Sequence, residues 1–307
     1  MSGVIEASHL TYRYGRTAAL DDLSVTVPEG ALYALIGPNG SGKTTLLQIV
    51  MGLRRPSAGR LTVFGVHHDS LTRQQRAEIG YIAEGQRLPQ WMRVQELEAY
   101  LAPLYPTWDR ALATDLRERF ELDPQKSIGA LSRGGQMKAA LLCALAPRPK
   151  LLVMDEPFTG MDVLVKDELV HGLLETAGQE GWSVLLCSHD VGELELLADW
   201  VGFLDHGRLS LSESVESLRA RFKRVEARMA DEGAARSLQP AADWMSVERA
   251  GARVSFITAH GDVERDERLR ALLPQATDVE IHDASLRELF IALATSASRR
   301  AVKEVAA

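Results

Sequence analysis

Cysteine is scarce in this chain. It occurs only at Cys143 and Cys187, and neither lies in a C-x-x-C spacing. That excludes a framework of several disulfides and a thiolate metal site, and leaves two buried free thiols suited to a reducing cytoplasm. Basic charge is also in deficit: 35 Lys and Arg face 42 Asp and Glu, a formal net charge of −7. Nucleic-acid binding demands a basic face, so no such partner is expected. Long apolar runs are missing as well. The longest, "AALLCALAP" ending at Pro147, is too short to span a bilayer. The opening residues "MSGVIEASHLTYRYG" lack the charged start and apolar centre of a signal peptide. The chain is therefore not expected to cross a membrane, although it could sit against one. There is no internal repeat and no low-complexity segment.

The 307 residues, 46% hydrophobic and 25% charged, are ordinary for one large or two smaller globular domains. The alternation in "DLSVTVPEG" (22–30) and the apolar run "ALYALI" (31–36) read as strands. So do "RLTVFG" (60–65), "IGYIAE" (79–84), "KLLVMDE" (150–156), "WSVLLCSH" (182–189) and "WVGFLDHGRLSL" (200–211). Helical spacing in "TTLLQIVMGL", with Gly52 near its end, and in the mostly helical stretch from Pro89 to Leu131 separates several of these. The pattern predicts an α/β fold of parallel βα units with helices on both faces. After about Ser217 the character changes. The charged stretch "SLRARFKRVEARMADEG" precedes strand-like "WMSVE", "RVSFITA" and "DVEIHDA" and helical "DERLRALL" and "SLRELFIALA", which predicts a small α+β C-terminal domain.

Gly37-Pro38-Asn39-Gly40-Ser41-Gly42-Lys43-Thr44-Thr45 fits G-x-x-x-x-G-K-[ST] between a predicted strand and helix. Glycines let successive backbone N–H groups converge on phosphate oxygens, and the following helix adds the positive end of its dipole. Lys43 can reach the β- and γ-phosphates, and the Thr44 hydroxyl can ligate Mg²⁺. A second constellation is "LLVMDEP", a buried strand that delivers Asp155 and Glu156 at its carboxyl end, where ligands of α/β sheets bind. Asp155 suits an Mg²⁺-holding carboxylate, and Glu156 a general base for the attacking water.

With these motifs come "LSRGG" (131–135), "GMD" (160–162) and "CSHD" containing His189. Together, over about residues 4 to 215, they resemble the ABC ATPase family. The resemblance implies a P-loop ATPase domain over 1–216 with a helical subdomain at about 86–145, followed by a small domain at 217–307. It implies two cassettes facing head to tail, a homodimer being expected, with each ATP held between one P-loop and the other's signature segment. It also implies ATP and Mg²⁺ as cofactors, a separately encoded transmembrane partner, and a place on the cytoplasmic face of the cell membrane.

Site roles follow by position. Asp155 stands 23 positions after Ser132, the family's spacing, so Arg133 replaces the first glycine of the signature, Gly134 stands at the second, and Gly135 takes the glutamine's place. Ser132, Gly134 and the N–H groups opening the next helix would meet the partner's γ-phosphate. Arg133 is either an extra cation near that nucleotide or a solvent-facing side chain. Tyr14 matches the aromatic that stacks on adenine, while Tyr12 serves packing. His189 matches the histidine that contacts the γ-phosphate, and Asp162 the acid that communicates across the dimer. Glu84 occupies the place of a glutamine and can bind Mg²⁺ or its water. It resembles the ABC-2-type exporter branch, as does the closing helix "SLRELFIALA". Leu88, Pro89, Trp91 and Met92 form either a surface for the membrane subunit or local core. His67-His68-Asp69 reads as a loop, since no third ligand has metal-site spacing.

The reading is then the ATP-hydrolysing subunit of an ABC exporter. A soluble ABC ATPase acting on nucleic acid or ribosomes is the alternative. Against it stand the single cassette, the acidic balance, and the 87 positions between Thr44 and Leu131 with no sustained heptads. A P-loop kinase or GTPase would leave "LSRGG", "GMD" and His189 unexplained.

Overall fold

The computed structural model describes residues 3–162, 165–167, 169–170, 172, 181–195, 197–241, 243–259 and 271–293. The chain divides into two compact units, Met1–Asp190 with Leu197–Ser212 and Val191–Leu196 with Glu213–Ala307.

In the first unit, apolar runs become the interior of a sheet. Strands β3 (Leu32–Ile36), β7 (Leu151–Asp155) and β8 (Ser183–Ser188) are buried at every position. That is the sequence pattern of parallel strands covered on both faces. With β6 (Ile79–Ile82), β9 (Trp200–Asp205) and β10 (Arg208–Ser214) they form a six-stranded sheet ordered β10-β9-β3-β8-β7-β6. Pairing is parallel from β9 through β3, β8 and β7 to β6. "WVGFLDHGRLSL" is thus two strands and not one, broken at His206 and Gly207, both with positive φ.

The parallel units are accompanied by a second sheet. Strands β1 (Gly3–Tyr14), β2 (Thr17–Pro28), β4 (Ala58–Val63) and β5 (Val66–His67) form an antiparallel sheet ordered β2-β1-β4-β5. "RLTVFG" therefore pairs with the N-terminal strand, and His67 closes a short strand where a loop was expected. Leu10, Leu20, Leu23, Leu61 and Val63 of this sheet share one buried cluster with Leu35 of β3 and Leu47 and Ile49 of helix α1 (Lys43–Val50). Burying each such side chain contributes about 1.5–3 kcal/mol.

Past the five-residue helix α2 (Arg73–Ala77), helices α3 (Val94–Leu101), α4 (Arg110–Arg119) and α5 (Arg133–Leu145) fill the stretch before β7. They bury Leu97, Leu112, Leu116, Leu141, Leu142 and Leu145. Arg117 on α4 donates to both carboxylate oxygens of Glu98 on α3, at 2.9 and 3.1 Å. Of the two thiols, Cys187 is buried in β8, but Cys143 is only half-buried, on the flank of the leucine stripe of α5.

The second unit contains an antiparallel sheet ordered β12-β13-β11-β14, made of β11 (Lys223–Met229), β12 (Met245–Ala250), β13 (Arg253–Thr258) and β14 (Ala276–Asp283). Helices α6 (Val215–Arg221) and α7 (Glu232–Ser237) accompany it, as does α8 at 286–293. Val225, Ala227 and Met229 of β11 pack with Val254, Phe256 and Trp244, whose ring stacks on Phe256 at 3.6 Å. β11 lies inside the charged stretch that had given no strand signal. Most of "DERLRALL" lies outside the described residues.

Candidate nucleotide site

The site grows from the end of β3. The chain leaves the sheet at Gly37, where an added Cβ would lie 2.2 Å from the Leu204 carbonyl oxygen. Gly42 ends the loop at φ 111° as the N-cap of α1, a conformation a side chain would strain. Backbone cannot yield as a flexible side chain does. Gly37→Ala is therefore expected to cost about 1–3 kcal/mol of stability and to abolish nucleotide binding, read by thermal melting and titration.

Between these glycines the loop exposes Pro38, Asn39 and Gly40 and buries Ser41. Lys43, 5% exposed, donates from Nζ to the carbonyls of Gly37 (2.7 Å) and Pro38 (3.3 Å). Its ammonium also sits 3.5 Å from Glu156 Oε1. Asn39, Gly40, Gly42, Lys43, Thr44 and Thr45 line one side of a cavity of about 580 Å³. The first-turn amides of α1 have no intrahelical partners, which makes this wall attractive to anions.

The chain just past β7 adds Glu156 and Thr159 to the lining, and β7 itself ends in Asp155. Asp155 is 1% exposed, and its Oδ1 has no hydrogen-bond partner among the described residues. Burial pushes its carboxyl above the ordinary range, and the nearby Glu84 and Glu156 carboxylates push the same way, while a hydrogen bond with Thr44 and the Lys43 charge oppose them. Glu156 follows at φ 47°, left-handed backbone that costs a non-glycine residue about 1–2 kcal/mol. Its N–H donates to the Cys187 carbonyl (3.0 Å). Its Oε2 pairs with His189 Nδ1 (2.7 Å) and accepts from the Thr159 hydroxyl (3.3 Å). The Asp155 oxygen without a hydrogen-bond partner among the described residues, with the Thr44 hydroxyl that bonds this carboxylate and with Glu84, is a hard-oxygen donor set that fits Mg²⁺.

One cavity thus gathers Tyr14, most of the phosphate loop, Glu84, Glu156 and His189, while buried Asp155 bonds Thr44 of its lining. Ser132, Gly134 and Asp162 are not among the residues lining it. The Ser132 hydroxyl caps α5 by accepting from the Gly135 N–H (3.1 Å), and Gly134 is buried where a Cβ would lie 2.4 Å from Val165 Cγ1. Arg133 is exposed, with its guanidinium over Gly160. Thr17, Ala18 and Ala19 also line the cavity from the start of β2, and Thr159 from the loop after β7. No motif marks these four. Thr17, Ala18 and Ala19 enter because the β1–β2 turn brings them beside Tyr14, and Thr159 because the chain after β7 turns back so that its hydroxyl meets Glu156.

A sequence model of the family described as "ABC transporter" matches residues 20–159, a span that holds the phosphate loop and both carboxylates. Residues 20–159 thus match an ABC transporter domain. This cassette is 36% identical over 207 residues to the "Fe(3+) ions import ATP-binding protein FbpC" of Streptomyces coelicolor, covering 66% of this chain and 59% of that one. The chain thus spans less than two thirds of that relative's length. It is 25% identical over 289 residues to the "ABC transporter ATP-binding protein YtrB" of Bacillus subtilis, covering 94% and 97%. Among solved structures, the ATP-binding subunit of an ABC transporter superposes with a TM-score of 0.63 at 27% identity, over 70% of this chain and 92% of that one. The six-stranded sheet, the antiparallel sheet and α3–α5 are the fold of such cassettes. Among the described residues no helix is long and apolar enough to cross a membrane.

Proposed function

We propose that this chain binds and hydrolyses ATP as the energy-supplying subunit of an ABC transporter, pairing with a second cassette and driving a separately encoded membrane subunit. The observation that carries the reading is the convergence of an aromatic ring, a phosphate loop, two carboxylates and a histidine on one cavity. In this reading Tyr14 stacks on the base. Gly37 through Thr45 wrap the phosphates, and Lys43 neutralises them. Thr44, Asp155 and Glu84 hold Mg²⁺, which when bound offsets charge on the phosphate oxygens. Glu156 accepts the proton of the attacking water, and His189 holds the γ-phosphate. Ser132, Gly134 and Asp162 serve the nucleotide of the second cassette, which accords with their lying outside this cavity. We assign the cassette to 1–216, its helical part to 86–145, and the small domain to 217–307.

Trp91 is 79% exposed beside half-buried Leu88, Pro89 and Met92, an apolar patch unusual for a free surface and suited to a membrane-embedded partner at the cytoplasmic face. Export is supported by Glu84 in the glutamine's place. Import is the second reading, favoured by the printed name of FbpC. The test is purification of tagged chain from mild-detergent extracts in ATP. A stoichiometric multi-span membrane protein is expected, and Trp91→Asp should release it. Recovery with ribosomes or nucleic acid would replace the transport reading with that of a soluble ATPase.

A further inference from the structure

Arg54 belongs to none of the motifs, yet it stands over the aromatic ring assigned to the base. It follows α1, and its N–H donates to the Gln48 carbonyl (3.2 Å), which ties it to the helix whose first turn forms the phosphate wall. Its Nε bonds the Gln48 side-chain oxygen, and its Nη1 donates to the Tyr12 hydroxyl at 2.9 Å. The guanidinium carbon lies 4.9 Å from the centre of the Tyr14 ring and 5.6 Å from that of Tyr12. The two rings meet edge-on at 4.9 Å and 69°. Tyr14 lines the nucleotide cavity, whereas Arg54 and Tyr12 do not. The cation thus sits over the Tyr14 ring without itself lining the cavity, and Tyr14 remains 46% exposed.

We propose that Arg54 is the positioning residue for the base platform: it fixes Tyr14, so that the aromatic base of a nucleoside triphosphate stacks on a ring already oriented by a cation. The inference rests on the assignment of Tyr14 to the base. A free tyrosine at the end of β1 would lose rotamer freedom on stacking, and a ring held by a guanidinium has already lost it. Gln48 and Arg54 also join the ring to α1, so base and phosphates are measured against one rigid element.

The test uses the full chain and two probes, the Mg²⁺ complex of the non-hydrolysable imido analogue of ATP and Mg²⁺-tripolyphosphate, which has no base. Arg54→Ala should weaken the analogue about 3- to 10-fold, the scale of a partly exposed cation–π contact, and leave tripolyphosphate unchanged. Arg54→Gln keeps a planar hydrogen-bonding head without charge and should show the same loss at an unchanged melting temperature. In a Tyr14→Ala background, Arg54→Ala should cost nothing further. Equal weakening of both probes would make Arg54 a support of α1 and overturn the proposal. So would full affinity in Arg54→Gln, or an undiminished Arg54 effect without Tyr14. If Tyr14→Ala itself leaves the ratio of the two affinities unchanged, the base assignment falls first and Arg54 with it.

Discussion

Glu156→Gln is expected to slow ATP hydrolysis by roughly 10²- to 10⁴-fold while leaving nucleotide binding intact, the loss that follows removal of a general base. The geometry around the carboxylate explains both halves. Glu156 neutralises Lys43 at 3.5 Å and pairs with His189 Nδ1 at 2.7 Å, the two side chains proposed to meet the γ-phosphate. A phosphate oxygen entering the cavity offers both a stronger anion. Their transfer frees the carboxylate, whose Oε1 is already without a hydrogen-bond partner and can accept from water. Glutamine has the same shape and still accepts a hydrogen bond, so the loop after β7 keeps its position, but the amide takes up no proton. Single-turnover phosphate release under saturating Mg²⁺-ATP checks the rate, and sedimentation in ATP should reveal an accumulated dimer. A rate within twofold of the parent would remove Glu156 from the role.

How much of this was legible in advance depended on burial. β3, β7 and β8 are buried at every position, so unbroken apolar runs announced them, and the phosphate loop and acidic pair lie at the ends of such runs. β1 gave no such signal. Its pairing is interrupted by register shifts, and His9 adopts positive φ, so the apolar-polar alternation loses phase midway. β11 alternates cleanly, with Val225, Ala227 and Met229 inward, but its other face carries Arg224, Glu226 and Arg228, and the charge hid the period. The same limit holds in the site. Lys43, Asp155 and Glu156 are set by local spacing and His189 by the family resemblance, whereas Thr17, Thr159 and Arg54 reach the site through a hairpin turn, a loop return and a helix end. Those are tertiary placements that no short spacing encodes.

Asp155→Asn is expected to make the nucleotide-free protein more stable and its Mg²⁺ dependence far weaker. A buried carboxylate with an unpartnered oxygen costs stability until a cation joins it, by about 1–3 kcal/mol on the scale of unsatisfied buried polar groups. An amide of the same shape carries no charge to desolvate. The pH dependence fixes the sign. Because burial raises the Asp155 pKa in the native state, that state binds more protons than the unfolded chain between the ordinary carboxylate pKa and the raised one. Apo stability should therefore fall as pH rises through that window, and the fall should be missing in the asparagine variant. Metal reverses the sign, since Mg²⁺ takes only the ionised form, so stabilisation by Mg²⁺-nucleotide should grow with pH in the parent. Melting curves of both proteins with and without Mg²⁺-nucleotide, at acid and neutral pH, isolate Asp155 because every other titrating group is common to the pair. An asparagine variant that melts at or below the parent in chelator at neutral pH would mean that the carboxylate is already compensated and is not the pre-formed half of a metal site.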